Sequence, residues 1–134
     1  MDEVNSIGAQ ILDLNVQIAN VRAIGDQPND LFDKRDVLLD RLAQLGNVTV
    51  TTGALDVVDV TIGGATLVTG TTSAATLVEA DLTSLTSGKL AALQTLRDTT
   101  LPGYRTSLDA VAASLVAQVN AFHTAGFDLA GATG

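Results

Sequence analysis

The chain has 134 residues, 46% apolar but only 3% aromatic, with a net charge of -8 and no cysteine. That length fits one domain with a core of Leu, Val, Ile and Ala, and the charge disfavours nucleic acid and anionic membranes, because no basic cluster offsets the repulsion of a polyanion. The missing thiols exclude disulfides, thiolate nucleophiles and Cys-based metal sites together.

In chain order, Val4, Ile7, Ile11, Leu14, Ile18 and Val21 recur at alternating spacings of three and four. This is the stripe of a helix packed at a shallow angle on other long helices. Asp13, Asn15, Gln17, Asn20 and Arg22 fall mostly on the other faces. Gly25 with Gln27-Pro28 ends the helix, since proline disfavours helix at the residue before it. A second helix from about Asp30 to Leu45 starts so soon afterwards that it runs back antiparallel to the first. Asn29 or Asp30 can cap it with a side-chain oxygen. Leu31, Leu38, Leu42 and Leu45 keep the helical spacing, and Gly46-Asn47 stops it.

From Val48 the period changes to two. Val48 and Val50 alternate with Thr49 and Thr51, and Val58, Val60 and Ile62 alternate with Asp59 and Thr61, which asks for one buried and one wet face. Gly63-Gly64 predicts a type I′ turn, whose two central residues both need positive φ. Ala65–Val68 then returns as a strand, Thr69–Thr76 (TGTTSAAT) reads as a polar loop, and Leu77-Val78 as one more short strand. Without a following Lys-Ser/Thr and an opening helix, Gly63-Gly64 is a hairpin turn and not a phosphate cradle.

Helical spacing resumes near Ser87 with Leu90, Leu93 and Leu96. It either breaks at Leu101-Pro102-Gly103 or takes Pro102 into the first turn of the next helix, where its missing N–H costs nothing. Tyr104, Leu108, Val111, Leu115 and Phe122 fit heptads on that last helix, which runs to about His123. Gly126–Gly134 reads as a loop. The fold class expected is α+β: an antiparallel helical rod over 1–46 and 87–125, with a small antiparallel β-hairpin portion over 47–86, forming a single domain over 1–134.

Little chemistry survives inspection. His123 is the only histidine, so zinc and triad assignments lack partners; it reads as a helix-end residue bonding a nearby loop. Asp26, Asp30, Asp33, Asp36 and Asp40 do not follow an EF-hand's spacing and read as a solvated acidic face. Arg35-Asp36 point about 100° apart on a helix and read as an ion-pair position. Asp98 and Asp109 beside Arg97 and Arg105 suggest ion pairs. No catalytic, cofactor-binding or metal-ligating residue is put forward, and no cofactor. No stretch is apolar enough for a transmembrane helix, and MDEVNSIGAQ lacks the basic-then-apolar order of a secretory signal.

Two stretches resemble one family. QIANVRAIGDQPNDLFDKRDVLLDRLAQLGNVTV is similar to the segment around the "PNDLLDQRD" signature of the flagellar hook-associated protein FlgK family; Asn29, Asp30, Leu31, Asp33, Arg35 and Asp36 match, while Phe32 and Lys34 depart conservatively. SGKLAALQTLRDTTLPGYRTSLDAVAASLVAQVNAFHTAGFDLAGATG resembles the same family's segment downstream. There Ser87-Gly88-Lys89-Leu90, Arg97-Asp98, Leu101-Pro102, Leu108-Asp109, Asn120, His123, Gly126, Asp128-Leu129 and Gly131 stand in the family's order. Coiled-coil composition alone does not reproduce those polar positions.

The resemblance implies a structural, non-enzymatic subunit of the bacterial flagellum at the hook–filament junction. It implies an extracellular place, export by the flagellar type III pathway, and contacts with neighbouring copies in a ring, with hook protein and with the second hook-associated junction protein. No nucleic acid or membrane partner is implied. The family's terminal polymerisation helices are missing, so the chain reads as a piece of a larger protein and as a monomer by itself. The rod of another secreted filament or a phage-tail-like component shares the same build; a small-ligand or enzyme domain instead predicts an enclosed polar pocket.

Overall fold

The computed structural model describes residues 1–126. It contains helices α1 (Asp2–Ala23), α2 (Asn29–Leu45), α3 (Gly88–Thr95) and α4 (Leu101–Ala125), and strands β1 (Val48–Thr52), β2 (Val58–Ile62), β3 (Ala65–Thr69) and β4 (Ser73–Ala74). The fold class is α+β. The chain divides into two compact units, Met1–Leu93 and Gln94–Gly134.

In the first unit, the α1 stripe is buried as its spacing demands: Val4, Ile7, Ile11, Leu14 and Ile18 join Leu38, Leu42 and Leu45 of α2 and Val58, Val60, Ile62, Leu67 and Val68 of the sheet in one aliphatic core. Glycine closes α1. Gly25 takes φ +85, its N–H donates to the Arg22 carbonyl, and the Asp26 N–H reaches back to Val21, the paired bonds that satisfy the last carbonyls of a helix. The helices are antiparallel, with Arg41 near the end of α2 lying 3.6 Å from Glu3 at the start of α1.

The start of α2 differs from expectation. Neither Asn29 nor Asp30 caps with its side chain; Pro28 occupies the cap position, and its carbonyl accepts from the N–H groups of Leu31 and Phe32 at 3.0 and 3.1 Å. The end differs in mechanism. Gly46 is extended (φ -165) and not left-handed. Close packing favours glycine there: a Cβ would meet Leu85 and Ile62 side chains at 3.1–3.2 Å, tighter than ordinary contact. Gly88, which does have a positive φ of +83, lies against the same backbone, so that its own Cβ would stand 2.6 Å from Gly46 N and Leu45 C.

The β portion is a four-stranded antiparallel meander in the order β1-β2-β3-β4, larger than a hairpin. Gly63 and Gly64 turn between β2 and β3 with φ +56 and +85, as a type I′ turn needs. Val58, Val60 and Ile62 are buried as predicted. In β3 the alternation fails for a physical reason. Val60 pairs with Val68 but Thr61 with Thr66, leaving Leu67 as the extra residue of a bulge, which re-aims a side chain. Leu67 and Val68 are therefore both buried, and Leu67 packs on Gly8 of α1, where a Cβ would lie 2.8 Å from it. On the outer strand β1 the predicted alternation gives no buried face: Val48 is half-buried and Val50 exposed, because β1 is an edge and α1 lies against β3 and β4.

The fourth strand is not Leu77-Val78 but Ser73–Ala74, inside the expected polar loop. Leu77 is diverted by a side chain: Asn5 Nδ2 donates to its carbonyl at 3.0 Å, and its N–H donates to Asn5 Oδ1 at 2.9 Å. Both of its ladder groups are thus taken.

In the second unit, Pro102 stands in the first turn of α4. The five residues before α4, Leu96–Thr100, are π-helical, and Thr95 and Leu101 keep right-handed helical dihedrals. The helix widens instead of breaking, because proline has no N–H to offer four residues back and its ring crowds that carbonyl. The loop expected over Gly126–Gly134 lies, beyond Gly126, outside the described residues.

Candidate functional site

No catalytic constellation is assembled among the described residues: no three His, Cys, Asp or Glu side chains come together to hold a metal. No helix among them is long and apolar enough to cross a membrane. His123 is exposed in the last turn of α4. The loop expected to receive its side chain falls on residues 127–134, outside the described residues. Asp26, Asp30, Asp33, Asp36 and Asp40 are all exposed, a solvated face.

The signature residues Asn29–Asp36 organise a polar joint. Phe32 packs half-buried against the core, and the Arg35 guanidinium lies over its ring, 5.3 Å from the centroid, within cation–π range. Arg35 is buried, with 8% of its surface exposed, and its Nη1 donates to the Asp56 carbonyl at 2.6 Å. Arg22 at the end of α1 brings its Nε to 2.5 Å from the Asp56 carboxylate. One aspartate thereby ties α1 and α2 to the turn between β1 and β2. That turn is strained: Leu55 and Asp56 both have positive φ, 55° and 57°, which costs a side-chain-bearing residue about 1–2 kcal/mol. The two arginines hold it. Burial draws the Arg35 guanidinium below its ordinary pKa, while Asp36 and Asp56 pull it back up.

Around the joint lies an open cavity of about 510 Å³ lined by Arg22, Phe32, Arg35, Asp36, Thr52 and Asp56 among others. Its cations already face Asp56, so the arrangement has the chemistry of a clamp. Arg35 acts through Asp56 and Phe32, as a structural position.

Three asparagines complete the framework, and sequence reasoning missed their role. Asn15, assigned to an outer face, is fully buried. Its Nδ2 donates to the carbonyls of Val58 and Gly70 at 2.8 Å each, and its Oδ1 accepts from the Val58 N–H. Asn5 holds Leu77 as described above. Asn47 donates to the Ser84 carbonyl and accepts from the Thr86 N–H, both at 3.0 Å. Asn15 and Asn5 thereby pair buried or partly buried backbone groups that would otherwise go unpaired, while Asn47 ties two exposed backbone groups ahead of α3. The available signal was position: Asn15 stands four residues after Ile11 and three before Ile18, inside the apolar arc and not opposite it.

The second unit carries one further surface. Tyr104, Leu108, Val111, Leu115 and Phe122 are all exposed along α4. In the π-helical turn before it, Arg97 Nε and Nη2 fork onto the Asp98 carboxylate at 2.6 and 2.8 Å, and this bonding holds Asp98 below the ordinary carboxylate range.

The polar clamp and the asparagine ties join helices to sheet, the chemistry of a structural module. The comparisons agree. The family model for the flagellar hook-associated protein FlgK helical domain matches residues 1–84 and 78–134. The chain belongs to that family. It is 43% identical over 49 residues to flagellar hook-associated protein 1 of Bacillus subtilis (strain 168), a match covering 37% of this chain and 10% of that protein. A solved structure of the flagellar hook junction protein FlgK from Burkholderia pseudomallei superposes with a TM-score of 0.77 at 30% identity, covering 99% of this chain and 28% of that one. The chain thus spans a small part of the length of both relatives.

Proposed function

We propose that this chain is the helical domain of a hook–filament junction subunit, a mechanical part of the bacterial flagellum and not an enzyme. The observation that carries the reading is the likeness, over 99% of this chain, to a solved hook junction protein at 30% identity. The polar joint supports it. A strained turn held by two arginines, with asparagine side chains tying α1 to the backbone of the β portion, suits a part that transmits load.

In the longer protein, the subunit contacts neighbouring copies in a ring, the hook protein on one side and the second hook-associated junction protein on the other. It works outside the cell after export by the flagellar type III pathway.

The test is complementation in bacteria lacking their junction protein, using a full-length gene that carries this segment in place of the resident helical domain. Restored filaments and swimming are expected. Export of the chimaera to the hook tip without filament attachment contradicts the reading.

A further inference from the structure

Among the described residues, only Leu55 and Asp56 have positive φ without being glycine, and they are adjacent. They are the two central residues of the turn closed by the Val57 N–H on the Ala54 carbonyl at 3.3 Å. Both signs of φ are those of a type I′ turn, for which Asn-Gly is the favoured pair. Leu-Asp is a costly one, because each Cβ crowds the carbonyl that follows it. Leu55 gains no burial in return, since it lies outside the aliphatic core.

The strain is confined to these two residues. On one side the Gly53 N–H donates to the Val57 carbonyl at 2.8 Å. On the other, both main-chain groups of Val58 are taken by Asn15. What opposes relaxation between these fixed points is the pair of bonds on Asp56.

Those two bonds are unequal. Arg35 is buried, lies over Phe32, and donates to the Asp56 main-chain carbonyl, a group that any residue at 56 supplies. Arg22 grips the carboxylate, and the side chains of that ion pair are 29% and 42% exposed, so water and salt reach it. Arg35 is thus a fixed pivot and Arg22 a releasable catch. The open cavity beside the turn, lined by Gln27, Thr52 and Asp56 among others, gives a freed carboxylate room to swing into solvent. The released state has a cost of its own. A turn with negative φ at both positions splays the strands it joins, because its twist does not match theirs. Two states, each strained in a different element, are the condition for a bistable segment.

We propose that the β1–β2 turn is a spring-loaded latch, shut by the Arg22–Asp56 ion pair and pivoting on Arg35. Shut, it fastens the end of α1 to the sheet with Leu55 and Asp56 left-handed. Open, both residues return to negative φ, β1 splays from β2 at its Thr52 end, and α1 is freed from the turn. The device lies within the first unit and does not depend on the junction reading.

Backbone carbon and proton shifts of the whole chain, which report the sign of φ, read the latch at residues 54–57. At low salt the unsubstituted chain should be left-handed there, with the open form a minor population. Arg22→Gln should raise the open population about fivefold, the upper end for a partly exposed ion pair. Sodium chloride at about 1 M, where the screening length falls to about 3 Å, should move the unsubstituted chain the same way. Leu55→Asn, a residue that tolerates the left-handed region, should keep the turn shut against both. Shifts of Val60 and Ile62, in the core, monitor the fold of each variant. A left-handed turn unchanged by Arg22→Gln or, should that variant not fold, unchanged by salt overturns the proposal. So does an open population that Leu55→Asn leaves undiminished.

Discussion

Helices α1 and α4 carry apolar stripes of nearly the same spacing, yet one is filled and the other is not. Along α1, Val4, Ile7, Ile11 and Ile18 are 2% exposed or less; along α4, Tyr104, Leu108, Val111 and Phe122 are at least 66% exposed. The residue types do not explain the difference. The two helices differ in their neighbours along the chain: α1 is succeeded by a helix that doubles back and a meander that supplies Val58, Val60, Ile62 and Leu67, while among the described residues of the second unit nothing covers the α4 stripe. A heptad-like stripe therefore declares a seam without saying who closes it.

The comparison can be broken most forcefully in the core. Ile11→Ala, at a fully buried site, should lower the stability of the first unit by about 4 kcal/mol, read by urea unfolding. Leu108→Ala, 70% exposed, should change that same transition by no more than about 0.5 kcal/mol. Comparable losses in both would remove the distinction between the helices. Next comes Gly88→Ala. A methyl 2.6 Å from the Gly46 and Leu45 backbone, on a residue with φ +83, has no flexible neighbour to displace, and about 3 kcal/mol should be lost.

Asn15→Ala should cost about 2 kcal/mol by leaving buried main-chain groups of Val58 and Gly70 unpaired. Asn15→Leu should not rescue it, although it restores apolar volume, because the unpaired groups belong to the backbone. Recovery in the leucine variant would show that Asn15 fills space and does not tie the sheet.

The smallest effect belongs to the second unit. The Asp98 carboxyl is held below its ordinary value of 3.8 by the Arg97 hydrogen bond. Its ionised form is thus favoured in the folded chain; the contribution is present above the ordinary value and is lost as pH falls through the depressed one. Carboxyl carbon shifts should show Asp98 titrating below its ordinary value, and Arg97→Ala should move it back up.

Much of this is legible in the residues. The α1 stripe, the extent of α2, the Gly63-Gly64 turn and the buried face of β2 all arise from local period and turn chemistry. The signature at Asn29–Asp36 identifies the family, although its asparagine and aspartate do not cap the helix; within it, Phe32 and Arg35 carry the packing. The features that escape sequence reasoning depend on partners distant in the chain. Asn15 reads as surface until Val58 and Gly70 come beside it. Leu77 reads as strand until Asn5, 72 residues earlier, takes both of its ladder groups. Leu67 joins the core through a bulge that no alternation predicts, and Pro102 widens the helix ahead of it where a break is one of two readings.

Amide hydrogen exchange of the whole chain tests the contrast between the helices most directly. Protection of α1 and β2 should be high, because their apolar partners lie in the same unit. Protection of α4 should be markedly lower, because its apolar stripe is exposed. Equal protection of α1 and α4 would contradict the account.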